Sequence, residues 1–286
     1  MDSADFLLLQ ASPLRIDDGI RGCCRKGARE SGCYGAPRNV APKLHKPLAK
    51  RTLPKQPFLL IFVVKSGGAK VGLWSDFLTN DQRIIHKWKH YFPIYEHHLA
   101  RFVNLDTVLV EIGCGQGGSM QMWKRFLGPH ARIIGIDVVP ECKSFEEDQI
   151  HVRIGDQGDP EFLASVVKEF GPPDIVIDDG SHQMHHIARS FLTLYPNVAK
   201  SGVYLVEDLH TAYWPAYGGG LKREGSFIEI CKNLIDSLNA DHTAGALPPN
   251  EFTRSTLSMH FYDSVVVFEK GRHTTKQALK TGATDP

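Results

Sequence analysis

Between Thr107 and Val206 the chain alternates short β-branched runs with stretches of helical period, and no other feature restricts its folding as severely. Strands read at Thr107 to Ile112, Arg132 to Ile136, Ile150 to Ile154, Asp174 to Ile177 and Val203 to Val206; helices read at Ser119 to Leu127, Pro160 to Phe170, His185 to Val198 and Ser226 to Leu238. Strands separated by helices connect by right-handed crossovers and form a parallel sheet. Two further β-rich runs, Leu257 to Tyr262 and Ser264 to Glu269, are parted only by Asp263 and predict a closing antiparallel hairpin. The expected fold is α/β: a doubly wound, mostly parallel sheet of seven strands with a C-terminal antiparallel hairpin. Upstream, Ile84, Ile85, Trp88, Tyr91, Phe92, Tyr95, Leu99 and Phe102 form a roughly helical stripe interrupted by Pro93, which predicts two short helices meeting at a kink.

In such a sheet, ligands gather beyond the carboxyl ends of the strands, so residues just after consecutive strands share one pocket. The first strand runs into Glu111-Ile112-Gly113-Cys114-Gly115-Gln116-Gly117-Gly118-Ser119, a Gly-rich turn that opens a helix and lets a ligand approach the backbone closely. Gly113, Gly115 and Gly118 alone also satisfy the dinucleotide pattern. Glu111 at the end of the strand, Asp137 after the second strand and Asp156-Gln157 after the third separate the readings. A carboxylate at Asp137 can accept from both ribose hydroxyls of a nucleoside, and Asp156 and Gln157 lie where its adenine would be. Two acidic clusters follow later strands, Asp178-Asp179-Gly180-Ser181-His182 and Glu207-Asp208-Leu209-His210. Carboxylates packed this closely repel one another unless something positive lies between them, and a hard divalent cation is the simplest candidate.

Taken together, the acid-led Gly turn, Asp137, Asp156 and the terminal hairpin resemble the class I S-adenosylmethionine-dependent methyltransferases, which implies a Rossmann-like sheet. KWKHYF (Lys87 to Phe92), DIVIDDGSH (Asp174 to His182), YLVEDLHTAYW (Tyr204 to Trp214) and HFYDSVVVFEK (His260 to Lys270) are similar to the metal-dependent sugar O-methyltransferases of macrolide biosynthesis, the mycinamicin and macrocin type. The resemblance covers about residues 75 to 270. It implies Asp179, Glu207 and Asp208 as Mg²⁺ ligands, His182 as general base, and Glu111, Gly113, Gly115, Ser119, Asp137, Asp156, Gln157 and Asp178 around S-adenosylmethionine. The acceptor it implies is a hydroxyl on a glycosylated small molecule. A metal-bound sugar hydroxyl is stabilised as its alkoxide while an imidazole takes the proton, which suits these residue types.

Each assignment has a plainer rival. Asp178 or Asp179 can cap the following helix, though a cap explains one carboxylate and not the second cluster. His182 can serve as a hydrogen-bonding residue, with His210 as the alternative base; His86 and His90 share a helical spacing but lack a third ligand. Tyr213, Trp214, Tyr217 and Gly218-Gly219-Gly220 read either as a lid over the acceptor or as a surface loop. A nicotinamide-dependent oxidoreductase would keep the fold, but no Tyr-x-x-x-Lys pair supports it; a non-catalytic cofactor-binding protein would have no use for the acids and His182.

Composition adds bounds. A formal charge of +1 without single-sign runs gives no support for nucleic-acid or polybasic membrane contact. The most apolar run, Phe58 to Val64, is far shorter than the ~20 residues that span a bilayer. Asp2 and Asp5 before a short apolar stretch are unlike a secretory signal, so the expected compartment is the cytoplasm. The six cysteines lack C-x-x-C spacing and read as structural thiols. Residues 1–70 mix Arg, Lys, Pro, Gly and Cys without period, which predicts a disordered extension or a start set upstream of the natural one. The methyltransferase domain is expected over 71–272, followed by a flexible tail at 273–286, with a homo-oligomer compatible with the pattern.

Overall fold

The computed structural model describes residues 72–272, 274 and 276–282. The expectations for residues 1–70, including Phe58 to Val64 and Cys23, Cys24 and Cys33, lie outside the described residues. Seven strands form one sheet: β1 (Val108–Ile112), β2 (Arg132–Asp137), β3 (Ile150–Ile154), β4 (Ile175–Asp178), β5 (Val203–Val206), β6 (Thr256–Tyr262) and β7 (Val265–Lys270). Their order is β3-β2-β1-β4-β5-β7-β6, with β7 antiparallel to both β5 and β6 and every other pairing parallel. The order reverses between β1 and β4, where Ile112 pairs with Asp178. That reversal point is where an open α/β sheet leaves a crevice at its strand ends.

Alternate strand residues feed two cores. Leu109, Ile133, Val152, Ile175 and Val203 face one layer with helices α1 (Leu73–Leu78), α2 (Phe92–Leu99) and α3 (Gly118–Leu127). Val110, Ile134, Val176 and Tyr204 face the other with α4 (Pro160–Phe170), α5 (Met184–Leu194) and α6 (Phe227–Leu238). Burial on both faces explains why β1, β2, β4, β5 and β7 read as near-continuous apolar runs. A short α7 (Glu251–Ser255) precedes β6 and was not expected from the sequence. No described helix is long and apolar enough to cross a membrane.

The stripe from Ile84 to Phe102 corrects the expectation of two kinked helices. Residues 81–88 form no helix, and Pro93 lies in the first turn of α2, where its missing N–H has no intrahelical partner to lose. Tyr91, Phe92, Tyr95 and Leu99 are buried as the stripe requires, but Ile84 and Trp88 are exposed. The loop lies against the start of α3: a Cβ on Gly118 would fall 2.3 Å from the Ile84 carbonyl oxygen. His86 and His90 therefore do not share a helix, and His90 Nε2 pairs with the Asp263 carbonyl at 3.2 Å.

Candidate active and metal-binding site

The turn after β1 is built for close approach. Gly113 has φ 83°, and a Cβ there would lie 2.2 Å from the Asp179 carbonyl oxygen, so only glycine lets the two strand ends meet. Asp137, at the end of β2, accepts from the Gly115 N–H and the Val139 N–H at 3.0 Å each. These bonds fix its rotamer beside Gly115, whose missing Cβ would meet no atom within 4 Å. Asp156 is exposed and accepts from the Gly158 N–H at 2.7 Å.

Four of the residues expected around a nucleoside, Glu111, Ser119, Gln157 and Asp178, brace the turn from beneath. Glu111 is fully buried and accepts from Ser119 Oγ at 2.7 Å and Trp123 Nε1 at 3.1 Å, which ties β1 to α3. Burial raises its pKa. Asp178 accepts from Gln157 Nε2 at 3.1 Å, Ser190 Oγ at 2.5 Å and Tyr204 Oη at 3.2 Å, inside the layer of α5. Gln157 completes that network by accepting from the Ser181 N–H at 2.7 Å, which holds the loop carrying Asp179 and His182.

The acids after β4 and β5 divide into two groups. Glu207, 1% exposed, presents both oxygens to Lys87 Nζ, at 3.0 and 3.1 Å, and Asp179 Oδ2 lies 2.7 Å from the same ammonium. Burial by itself would lower the Lys87 pKa, but the charges of Asp179, Glu207 and Glu111 outweigh it and hold the pKa well above the ordinary lysine value. Lys87 is the functional residue that sequence reasoning missed. Its signal was the KWKHYF motif, together with the need of clustered carboxylates for a positive partner.

Asp179 Oδ1, His182 and Asp208 form the second group. His182 Nε2 lies 3.9 Å from Asp179 Oδ1 and 3.6 Å from Asp208 Oδ2, and one ligand atom from each residue lies within 4.8 Å of the others. Tyr91 Oη donates to Asp208 Oδ1 at 2.6 Å. Both His182 (φ 57°) and Asp208 (φ 54°) occupy the left-handed region, a strained conformation that surrounding structure must enforce. Cys114, Asp137 and Cys142 are equally close, but burial raises the pKa of both thiols and disfavours the thiolate that a metal requires. Around the rim, the His210 ring packs edge-on to Trp88 and Trp214, with centroids 5.9 and 4.8 Å away. Tyr217 continues the row from Trp214 to His182. His210 Nδ1 is paired with Ser264 Oγ at 2.6 Å.

A parallel sheet with a Gly turn, a ribose-type acid and an acid–imidazole cluster has clear relatives. A tetracenomycin-C 3'-O-methyltransferase of Streptomyces olivaceus, acting on the 8-demethyl-8-(2-methoxy-alpha-L-rhamnosyl) compound, is 40% identical over 199 residues, covering 65% of this chain and 50% of that protein. The mycinamicin VI 2''-O-methyltransferase of Micromonospora griseorubida is 37% identical over 201 residues, covering 64% of this chain and 49% of the relative. The solved MycE methyltransferase of the mycinamycin biosynthetic pathway, in complex with Mg, SAH and mycinamycin VI, shares the fold with a TM-score of 0.63. Its sequence identity is 35%, over 72% of this chain and 55% of that one. The chain spans about half the length of these relatives. No protein-family model matches it.

Proposed function

We propose that this chain carries the methyl-transferring site of a metal-dependent O-methyltransferase that uses S-adenosylmethionine and acts on a sugar hydroxyl of a glycosylated small molecule. The observation that carries this reading is the convergence of Asp179, His182 and Asp208 beside the Gly113 turn, one strand from Asp137. Two carboxylate oxygens and an imidazole, all part-exposed, suit a hard divalent cation that keeps open positions. The open space beside Gly115 and the fixed Asp137 carboxylate suit the ribose of the nucleoside. Bound there, the metal would stabilise the acceptor alkoxide and the sulfonium would supply the methyl group.

The chain's own residues then have separate tasks. Asp179 and Asp208 hold the metal, with Glu207 behind them on Lys87. Tyr91 fixes the Asp208 rotamer by its hydroxyl. His182 Nε2 takes the proton of the acceptor hydroxyl, oriented by the two carboxylates that flank it. Trp88, Trp214 and Tyr217 offer an apolar rim on which the face of a sugar ring can stack and from which water is displaced. The same distances favour a second role for His182, as third metal ligand, and metal affinity of His182→Ala separates the two.

Calorimetry with S-adenosylhomocysteine and with NAD tests the reading, followed by methyl transfer to a panel of glycosylated polyketides. Binding of the first and not the second is expected. Binding of NAD alone would move the protein to the oxidoreductases.

A further inference from the structure

Lys87 leaves the loop at 81–88 and ends among β1, β4 and β5 with its side chain 2% exposed. Its ammonium lies 2.7 Å from Asp179, 3.0 Å from Glu207 and 3.4 Å from Glu111. Glu207 chelates it with both oxygens, as a carboxylate does a metal ion. Alongside, the fully buried Tyr95 hydroxyl has no hydrogen-bond partner among the described residues, although it faces Glu207. Glu111, Asp179 and Glu207 thus crowd three carboxylates around one fixed ammonium.

We infer that Lys87 is a resident counter-ion that offsets part of the charge of this nest before a metal arrives and so weakens the binding of the metal itself. The inference rests on the metal-dependent reading above. A buried ammonium bonded to Asp179 cannot move far from a divalent cation bound to the other oxygen of the same carboxylate. Two cations a few ångström apart repel, and by linkage each weakens the other's hold. The arrangement has two consequences. The folded state does not depend on metal, because the buried carboxylates already have a partner, and the metal is exchangeable instead of structural. Lys87 is therefore a positioning residue whose effect passes through Asp179 and Glu207.

The test uses the full chain as Lys87→Gln and Lys87→Arg, with Mn²⁺ as probe. Free Mn²⁺ is read by electron paramagnetic resonance, and thermal unfolding is followed in chelator and in Mg²⁺. Lys87→Gln should bind Mn²⁺ at least about tenfold more tightly, since even water-like screening of a monovalent from a divalent charge at this range is worth that much. It should melt several degrees lower than wild type in chelator and recover in Mg²⁺, but not in NaCl of equal ionic strength. Lys87→Arg, which keeps the charge, should stay near the wild-type affinity. Equal or weaker Mn²⁺ binding by Lys87→Gln would overturn the inference while leaving the metal reading intact. So would a Lys87→Gln protein that folds in neither chelator nor Mg²⁺. Mn²⁺ uptake by neither wild type nor Lys87→Gln would remove the metal reading, and the inference with it.

Discussion

Asp137 illustrates how one side chain can be prepared for a ligand by backbone alone. Its two oxygens each accept one N–H, from Gly115 and Val139, which holds the carboxylate beside the open space at Gly115. Replacing it with Ala should weaken S-adenosylhomocysteine binding about ten- to a hundredfold, the range of lost charge-assisted hydrogen bonds. Asp156→Ala should have a smaller effect; calorimetry checks both, and an unchanged affinity for Asp137→Ala would remove that residue from the site. For His182→Ala, kcat should fall by roughly 10² to 10⁴ with metal affinity little changed if the imidazole is the base. A parallel loss of Mn²⁺ affinity would make it a ligand. At this scale the acids were legible because each ends a β-branched run, whose strand end fixes where the carboxylate lies. The division of labour among them was not. Glu207 and Asp208 are adjacent in sequence, and only the left-handed backbone at Asp208 turns one toward His182 while the other faces Lys87.

The helix that follows the Lys87 loop is tied to the sheet through a part-buried carboxylate. Glu269 on β7 accepts from His98 Nδ1 of α2 at 2.5 Å and pairs with Arg101. Burial alone would raise the Glu269 carboxyl, but the hydrogen bonds of His98 and Arg101 outweigh it and bring the pKa down to about 2. A carboxyl depressed in the folded state stabilises the fold at every pH above its unfolded value of about 4.3, and that contribution is lost as pH falls from there toward 2. Glu269→Gln should therefore cost about 2–3 kcal/mol near neutral pH, with the gap to wild type narrowing below about pH 4. Denaturant unfolding at a series of pH values measures it; a gap independent of pH would show that the ion pair contributes nothing. The strands β1, β2, β4, β5 and β7 were legible because both their faces are largely buried, so their apolar character is nearly continuous. Residues 81–88 were misread because exposed Ile84 and Trp88 happen to continue the helical spacing of the buried residues behind them. Apolar periodicity alone does not distinguish a core stripe from a rim.

Across the molecule, the buried residues named for both cores lie between Leu73 and Phe268, on elements that close one sheet. Removing residues 1–70 should accordingly leave the melting temperature and S-adenosylhomocysteine binding largely unchanged, and an insoluble or much less stable product would contradict this. The matched region makes up about half of each relative, so acceptor choice in those proteins can draw on parts outside it. The central claim is that methyl transfer depends on a divalent cation held by the acids after β4 and β5. It is tested most directly by following methyl transfer from S-adenosylmethionine to a glycosylated acceptor already shown to be methylated, first in chelator and then with Mg²⁺ restored. Transfer should stop in chelator while S-adenosylhomocysteine still binds, and Mg²⁺ should restore the rate; full activity in chelator would contradict a metal-dependent transfer.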